Sequence, residues 1–204
     1  MLAQQSLMIP HFNNKNLATI SALADAGLTR EISKVCGDIS GILRYISTDA
    51  EEGVTVAAEI EHTVKYLQCM KMGHDDKLSY TIGIPPVLQG VTIPKLIVQP
   101  LVENAIKHGF NTPPPWNLVV QGSVEGGEWR ISISDNGIGF EPSAVALLES
   151  RIAKWQETGR LPALGIEGMG LFNICVRLRL FFGERHHFSI RANPGGGSVV
   201  TIGG

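Results

Sequence analysis

Three short segments of the 204-residue chain carry polar or glycine-rich patterns that suit ligand binding. In chain order they are QPLVENAIKHG at 99–109, DNGIGF at 135–140 and GMGL at 168–171. A neutral amide such as Asn104 can ligate a hard cation, and a carboxylate such as Asp135 can accept a hydrogen bond from an amine. Paired glycines before a helix leave backbone N–H groups free for an anion. Each segment alone is more often a turn or a surface helix, but the three in this order are a specific combination.

The ordered set is similar to the N, G1 and G2 boxes of the Bergerat-fold ATPase superfamily. The first segment resembles the LytS/YesM-type sensor histidine kinases in particular, and the similarity covers nearly the whole chain. Its further parts are Pro10-His11-Phe12, Leu43-Arg44-Tyr45, residues 94–109, residues 173–183 and Gly195-Gly196-Gly197-Ser198. The resemblance implies an α+β protein in which a helical hairpin, for dimerisation and phosphate acceptance, precedes an α/β sandwich ATP-binding domain. The implied activity is that of the cytoplasmic core of a two-component kinase.

Physical roles can be assigned beside the resemblance. Asn104 supplies an oxygen ligand for Mg²⁺ against the phosphates of ATP, and Lys107, one turn along the same helix face, reaches a phosphate. Asp135 accepts from the adenine amine, while Gly137 and Gly139 bring backbone close beneath the ring. The alternatives without a role in ligand binding are a solvated lysine at 107 and a hairpin turn at 135–137. The other predicted nucleotide-site residues are His108, Gly168, Gly170, Leu171 and Ser198.

The predicted catalytic residues are His11, Glu103 and Asn104. An imidazole nitrogen is nucleophilic at neutral pH, so His11 is the predicted phosphoacceptor, and a response-regulator aspartate is the expected final recipient. Water-activating relatives carry a glutamate one turn before the asparagine, where this chain has Pro100, so efficient ATP hydrolysis is disfavoured. Glu103 is adjacent to Asn104 but points about 100° around the helix from it. It could therefore either orient a neighbouring group or act as a base.

Two alternatives remain open. Kinases of this type read PHFLFNTLN at the histidine, whereas Lys15 and Ala18 stand here in place of two asparagines. This departure favours a nucleotide-binding signalling module without phosphotransfer, which would bind ATP but incorporate no label. An anti-sigma-type serine kinase would share the pocket but lack the dimeric hairpin, and phosphoamino-acid analysis separates it from a histidine kinase.

Composition limits the partners. A net charge of −2 and a pI near 6.3, without a basic run, argue against nucleic acid. Three scattered cysteines lack metal-ligand spacing, which predicts free thiols in a reducing cytosol and no zinc. The sequence contains neither a secretory signal nor a bilayer-spanning stretch. We therefore expect a cytoplasmic fragment whose only membrane contact is a sensor region outside these residues, with the full-length protein anchored in the bacterial inner membrane.

The N-terminal part reads as helices. Residues 1–24 carry an imperfect apolar stripe, residues 25–27 form a break, and residues 29–47 carry a regular one. The regular seam consists of Ile32, Val35, Ile39, Ile42 and Ile46. A hairpin alone has too little core, so pairing with a second copy predicts a homodimer. A third helix over 55–72 ends at a boundary near residues 73–76, which divides the chain into residues 1–73 and residues 74–204.

The second unit reads as strands alternating with helices. Predicted strands are 78–84, 118–124, 129–134, 188–192 and 198–202, and predicted helices are 94–108 and 171–182. Pro100 should kink the first of these helices or open a fresh segment. Apolar spacing between Phe140 and Gly168 predicts a short amphipathic helix in a lid over the nucleotide. His62, in the third helix, is expected to be partly exposed.

Overall fold

The described part of the chain covers most of the sequence after residue 53. A computed structural model describes Leu17, Ile20, Ser21 and residues 23–30, 32–33, 36–37, 53–72, 74–158 and 169–204. Most of the predicted hairpin, including His11 and four of the five seam residues, lies outside the described residues. Gly168 and Gly73 lie outside them as well.

A tight connection joins the two described helical stretches near the N-terminus. Gly27 adopts a left-handed φ of 71°. Its N–H donates to the carbonyl of Ala24 at 3.0 Å, and the N–H of Leu28 donates to that of Leu23 at 2.9 Å. A left-handed glycine with this pair of bonds is a common helix stop. Helical backbone resumes at Thr29, so the predicted break is confirmed.

The described residues form seven strands. They are β1 (Val54–Thr55), β2 (Leu78–Gly83), β3 (Thr92–Ile93), β4 (Trp116–Glu125), β5 (Glu128–Asp135), β6 (His187–Ala192) and β7 (Ser198–Gly203). Five of them make one mixed sheet in the order β2-β4-β5-β7-β6, in which only β2 and β4 run parallel. Leu118 pairs with Asp135, and Ser134 pairs with Val199. The end of the central strand β5 therefore lies beside the starts of β4 and β7.

Strand β5 at the centre of the sheet is apolar on one face only. Along β5 the buried residues are Trp129, Ile131, Ile133 and Asp135, and they alternate with half-buried polar ones. This period of two is the spacing of a strand with one face against a core. Helical residues such as Leu67 and Leu101 complete the same core. The α+β prediction, with helices covering one face of a sheet, is confirmed.

Five α-helices accompany these strands from residue 53 on, besides the two partly described helical stretches near the N-terminus. They are α1 (Val56–Met72), α2 (Pro86–Gln89), α3 (Gln99–Asn104), α4 (Pro142–Thr158) and α5 (Met169–Phe182). Short 3₁₀ turns occupy Asp75–Lys77 and Gly183–Arg185, and a π-helical turn, Ala105–Gly109, follows α3. The buried face of α1 joins the core formed with the later elements. None of the helices in the described ranges has the length and apolar character to span a bilayer.

Helix α3 begins later than predicted. Residues 94–98 are not helical, and Leu96 has a φ of 57°. The N–H groups of residues 96–98 donate to the carboxylate of Glu59, so they are bonded outside any helix. Pro100 is the second residue of α3, where its missing N–H costs nothing. The prediction of a helix from Pro94 was wrong, and the alternative that Pro100 opens a fresh segment is confirmed.

Helix α4 confirms the amphipathic helix predicted between the second and third segments. Leu148 and Trp155 are buried, while Ile152 is half-buried. The ring of Trp155 meets Phe172 of α5 edge to face, with 6.3 Å between centroids. The apolar side of α4 thus packs against the helix that follows the glycine pair. Residues 159–168, the rest of the predicted lid, lie outside the described residues.

His62 is buried, so the expectation of partial exposure was wrong. Its side chain is 2% exposed on α1, and Nε2 lies 2.5 Å from Oε1 of Gln99, the first residue of α3. The reason is that the polar residues on this side of α1 face α3 rather than solvent. Burial lowers the pKa of His62 from its ordinary 6.5, and the hydrogen bond to Gln99 offsets part of this effect.

The burial of His62 predicts a pH dependence of stability. As the pH falls below 6.5, the unfolded chain binds the proton before the folded chain does. The free energy of unfolding should therefore decrease toward the folded-state pKa, by at most about 1.4 kcal/mol per pH unit for this one proton. Urea unfolding between pH 7.5 and 5 measures the slope. His62→Gln should flatten the slope, and an unchanged slope would contradict the assignment.

Candidate nucleotide site

Asp135 is a buried carboxylate at the end of the central strand. Its side chain is 3% exposed, and it is the last residue of β5. Oδ1 accepts from the N–H of Gly137 at 2.9 Å, and Oδ2 accepts from Oγ of Ser198 at 2.5 Å. Ser198 opens β7 and is itself buried. A carboxylate has about four acceptor positions, so capacity remains for a further donor such as an amine.

Three glycines bring backbone against Asp135. A Cβ added to Gly109 would lie 2.9 Å from Oδ1 of Asp135, and one added to Gly197 would lie 2.6 Å from the same atom. A Cβ added to Gly137 would lie 1.8 Å from the carbonyl oxygen of Gly109. The N–H of Ile138 donates to that oxygen at 2.9 Å. The first and second sequence segments therefore meet beside Asp135. Gly109, Gly137 and Gly197 line this place, which we call the Asp135 cradle, and a side chain on any of the three would overlap neighbouring atoms.

Gly137→Ala is expected to collapse this cradle. The added methyl would overlap backbone, which cannot rotate away, so we expect a loss of at least about 3 kcal/mol of unfolding free energy. Chemical denaturation measures the loss. The matched control is Gly90→Ala, because a Cβ there meets nothing within 4 Å and its φ is −86°. Equal stability of the two variants would contradict the observed packing.

Asn104 ends α3 where the backbone widens into the π-helical turn. Single π turns inside helices occur often at functional sites. Asn104 and Glu103 are half-buried, whereas Lys107 and His108 are exposed. Burial raises the pKa of the Glu103 carboxyl, and the positive charge of Lys107 partly offsets this shift. The end of α3 thus carries a carboxyl and an amide, and the turn after it carries a cation, on the segment that leads directly to Gly109.

The third segment is only partly described. Gly170 is exposed near the start of α5, and a Cβ added there would meet nothing within 4 Å. Leu171, the next residue, is buried. Gly139 has a left-handed φ of 75°, and a Cβ there would lie 3.0 Å from the carbonyl oxygen of Gly197. Gly139 thus lies against the turn that leads to Ser198.

Two asparagines that the sequence analysis did not single out hold the loop around Asp135. Asn136 accepts from the N–H of Asn117 at 2.7 Å and donates to the carbonyl of Pro115 at 2.9 Å. Asn193 donates to the backbone carbonyl of Asp135 at 2.9 Å. Asn136 lies in the DNG triplet, where asparagine side chains commonly bond nearby backbone, so its role could have been predicted from the sequence. For Asn193 no local pattern distinguishes it from an ordinary turn residue.

The arrangement suits an adenine nucleotide. Asp135, Gly137 and Ser198 combine a buried acceptor with backbone bare of side chains, which accommodates a flat ring bearing an amine. A separate cavity of about 220 Å³ lies between α4, α5 and β6. Its lining includes Leu148 and Phe188 and none of the predicted site residues. We regard the Asp135 cradle as the functional site because its polar groups converge there.

Two family models match most of the chain. Residues 1–78 match the family model described as histidine kinase. Residues 91–203 match the model described as histidine kinase-, DNA gyrase B- and HSP90-like ATPase. The histidine kinase domain from the Erythrobacter litoralis EL346 blue-light activated histidine kinase has a similar fold, with a TM-score of 0.50 and 13% identity, covering 95% of this chain and 91% of that one.

Two curated relatives resemble nearly the whole chain. Sensor histidine kinase YesM of Bacillus subtilis (strain 168) is 29% identical over 201 residues, which cover 98% of this chain and 32% of the relative. Sensor histidine kinase BtsS of Escherichia coli (strain K12) is 28% identical over 194 residues, which cover 95% and 31%. The chain spans about a third of the length of these relatives. Since the ATPase model matches more than half of the residues, the chain belongs to the histidine kinase-, DNA gyrase B- and HSP90-like ATPase family.

Proposed function

We propose that this chain binds ATP with Mg²⁺ at the Asp135 cradle and transfers the γ-phosphoryl group to His11. The observation that carries the proposal is the junction of Gly109 with Gly137 and Ile138. It joins the helix that bears Asn104 to the carboxylate proposed to bind adenine. The match of residues 1–78 to the histidine kinase model supports the reaction type.

Each polar group has a proposed role. Asp135 accepts from the adenine amine, with Ser198 holding the carboxylate in place. The amide oxygen of Asn104 ligates Mg²⁺, and Lys107 with the backbone at Gly170 binds phosphate oxygens. Lys107 and Gly170 are both exposed, as groups that reach a ligand from the protein surface must be. His108, Gly139, Gly168 and Leu171 remain predictions as further contacts.

The reaction needs little covalent chemistry from the protein. ATP supplies the phosphoryl group, and Mg²⁺ held by Asn104 would supply neutralising charge beside it. A ring nitrogen of His11 attacks phosphorus as the bond to the ADP oxygen breaks, and the other ring nitrogen releases its proton. Glu103, whose carboxyl pKa is raised by burial, remains a candidate for accepting that proton or for orienting a neighbour.

The partners belong to the same proposal. We propose an aspartate of a response regulator as the final acceptor and a homodimer formed through the N-terminal hairpin. The relatives named as sensor histidine kinases support this reading, together with a cytoplasmic position and a sensing region elsewhere in the full protein. The division into residues 1–73 and residues 74–204 also remains a prediction.

Labelling with ATP carrying a tagged γ-phosphate tests the proposed reaction. Wild type should acquire an acid-labile, base-stable label, the behaviour of phosphohistidine. His11→Gln should acquire none while keeping its nucleotide affinity, because residue 11 is not proposed to bind ATP. Label that survives acid would contradict a histidine acceptor and would favour the serine kinase. Acid-labile label that is unchanged in His11→Gln would contradict His11 as the acceptor.

One observation favours a second function. Lys15 and Ala18 replace asparagines of the LytS/YesM pattern close to His11, so the surroundings of the acceptor are altered. A nucleotide-binding signalling module would bind ATP with Mg²⁺ but incorporate no label. Ala18→Asn combined with Lys15→Asn separates the two readings, because labelling that appears only in this double variant would show that phosphotransfer had been lost.

A further inference from the structure

A buried carboxylate of α1 holds the segment that leads into α3. Glu59 is fully buried. Its Oε2 accepts from the N–H of Leu96 at 2.9 Å, and its Oε1 accepts from the N–H groups of Ile97 and Val98 at 2.9 and 3.0 Å. A carboxylate, which only accepts, suits three converging N–H donors. The next residue after these three is Gln99, where α3 begins.

An arginine of α5 holds the same segment through its carbonyls. Nη1 of Arg177 donates to the carbonyl of Leu96 at 3.1 Å, and Nη2 donates to that of Lys95. Helix α5 begins at Met169, beside Gly170. Both polar groups of the Leu96 backbone are therefore bonded to side chains, one from the helix before the segment and one from the helix of the proposed phosphate site.

The conformation between these two side chains is strained. Leu96 is the one non-glycine residue with a positive φ in the part of the chain described, at 57°. A left-handed leucine is costly and persists only where its surroundings impose it. Glu59 and Arg177 supply that constraint. One turn further along α1, His62 bonds Gln99, so α1 contacts the start of α3 at two successive levels.

We propose that Glu59, Leu96 and Arg177 form a clamp of positioning residues that sets the placement of Asn104. The clamp fixes the backbone three residues before α3, and α3 is a single short helix that ends at Asn104. It also joins α1, which the histidine kinase match includes, to α3 and α5 of the ATPase match. The inference rests on the proposed role of Asn104 in binding Mg²⁺ and specifies what holds that residue in place.

The test compares nucleotide affinity with and without Mg²⁺. In Glu59→Gln one oxygen can still accept, but an NH₂ group opposes an N–H donor, which should loosen Leu96. We expect the dissociation constant of Mg²⁺–ATP to rise by at least about tenfold, while that of Mg²⁺-free ADP, held mainly through Asp135, changes by less than about twofold. Arg177→Lys, which loses the two-pronged contact, should act in the same direction. The matched controls are Glu61→Gln and Arg179→Lys, which change exposed ion pairs on the same two helices and should leave both constants unchanged.

A rescue experiment separates positioning from general stability. Leu96→Gly adopts the left-handed conformation without strain, whereas Leu96→Ala removes the same side chain but keeps a Cβ. Added to Glu59→Gln, the glycine should restore at least about half of the lost Mg²⁺–ATP affinity, on a logarithmic scale, and the alanine should not. All affinities are measured well below the melting temperature of each variant. If Glu59→Gln does not fold, Arg177→Lys with the same two Leu96 changes carries the test.

The outcomes separate this inference from the proposed function. Wild type that binds Mg²⁺–ATP, beside clamp variants with unchanged Mg²⁺ dependence, would overturn the clamp alone. Equal loss of Mg²⁺-bound and Mg²⁺-free nucleotide, or equal rescue by glycine and alanine, would also overturn it, because a merely structural role predicts both. Wild type that binds no adenine nucleotide would overturn the proposed function, and the clamp with it.

Discussion

Asp135→Asn is expected to reduce ATP affinity by at least about 100-fold, which corresponds to about 2.7 kcal/mol. The carboxylate accepts from Gly137 and Ser198 and is proposed to accept from adenine as well. An asparagine keeps the shape but replaces one acceptor oxygen with a donor. The amine of adenine, or one of the two protein donors, is then left opposed by N–H groups. Calorimetric titration with ATP, and separately with adenosine, measures the change.

The adenosine titration assigns the loss to the base. If Asp135 contacts adenine, adenosine and ATP should lose affinity by the same factor, since the phosphates are bound elsewhere. The matched control is Asp76→Asn, an exposed aspartate of a 3₁₀ turn, which should bind as wild type does. Unfolding curves establish the folded fraction of each variant. An Asp135→Asn protein that is folded and binds ATP normally would contradict the proposed role of the carboxylate.

Asn104→Ala is expected to lower phosphorylation of His11 by at least about 1,000-fold, or 4 kcal/mol of transition-state stabilisation. Asn104 would hold Mg²⁺ where charge develops on the transferring phosphoryl group, so losing the amide should affect the reaction more than it affects binding. Nucleotide affinity without Mg²⁺ should remain near that of wild type. Initial rates of label incorporation at several Mg²⁺ concentrations measure the effect.

The control for Asn104→Ala also removes a side-chain amide, but at a position outside the proposed site. Gln89→Ala removes an exposed amide at the end of α2 and should leave the rate unchanged. Added Mn²⁺, which accepts the same oxygen ligands, should not restore the alanine variant, because the ligand itself is missing. A variant that retains its Mg²⁺ dependence and its rate would show that the metal ligand lies elsewhere.

Strand periodicity predicted most of the sheet. The five strands of the main sheet were predicted to within about two residues at each end, because alternation reports directly which face is buried. The two-residue strands β1 and β3 were missed, since two residues carry no period. Helix α5 was predicted from Leu171 and begins at Met169. Boundaries of this kind depend on local bonding that composition does not reveal.

The residues proposed to bind the nucleotide could be predicted from the sequence, but the residues that hold the backbone near them could not. Asp135 and the glycines around it can be recognised in the sequence because few structures require those residue types at that spacing. Glu59 and Arg177 could not be assigned, since an acidic residue and an arginine on amphipathic helices ordinarily face solvent. The prediction that His62 is partly exposed was wrong for the same reason, because a single histidine on a helix usually contacts solvent. Their roles come from contacts between residues more than 35 positions apart, which only the fold brings together.

Asn104, Asp135 and the glycine pair before α5 are proposed to bind a single nucleotide. A crystal structure of the chain with Mg²⁺ and a non-hydrolysable ATP analogue tests this proposal most directly. The expected result places the adenine amine about 3 Å from the Asp135 carboxylate and the metal about 2.1 Å from the Asn104 amide oxygen. A nucleotide bound instead in the cavity between α4, α5 and β6, or a metal without Asn104 among its ligands, would contradict it.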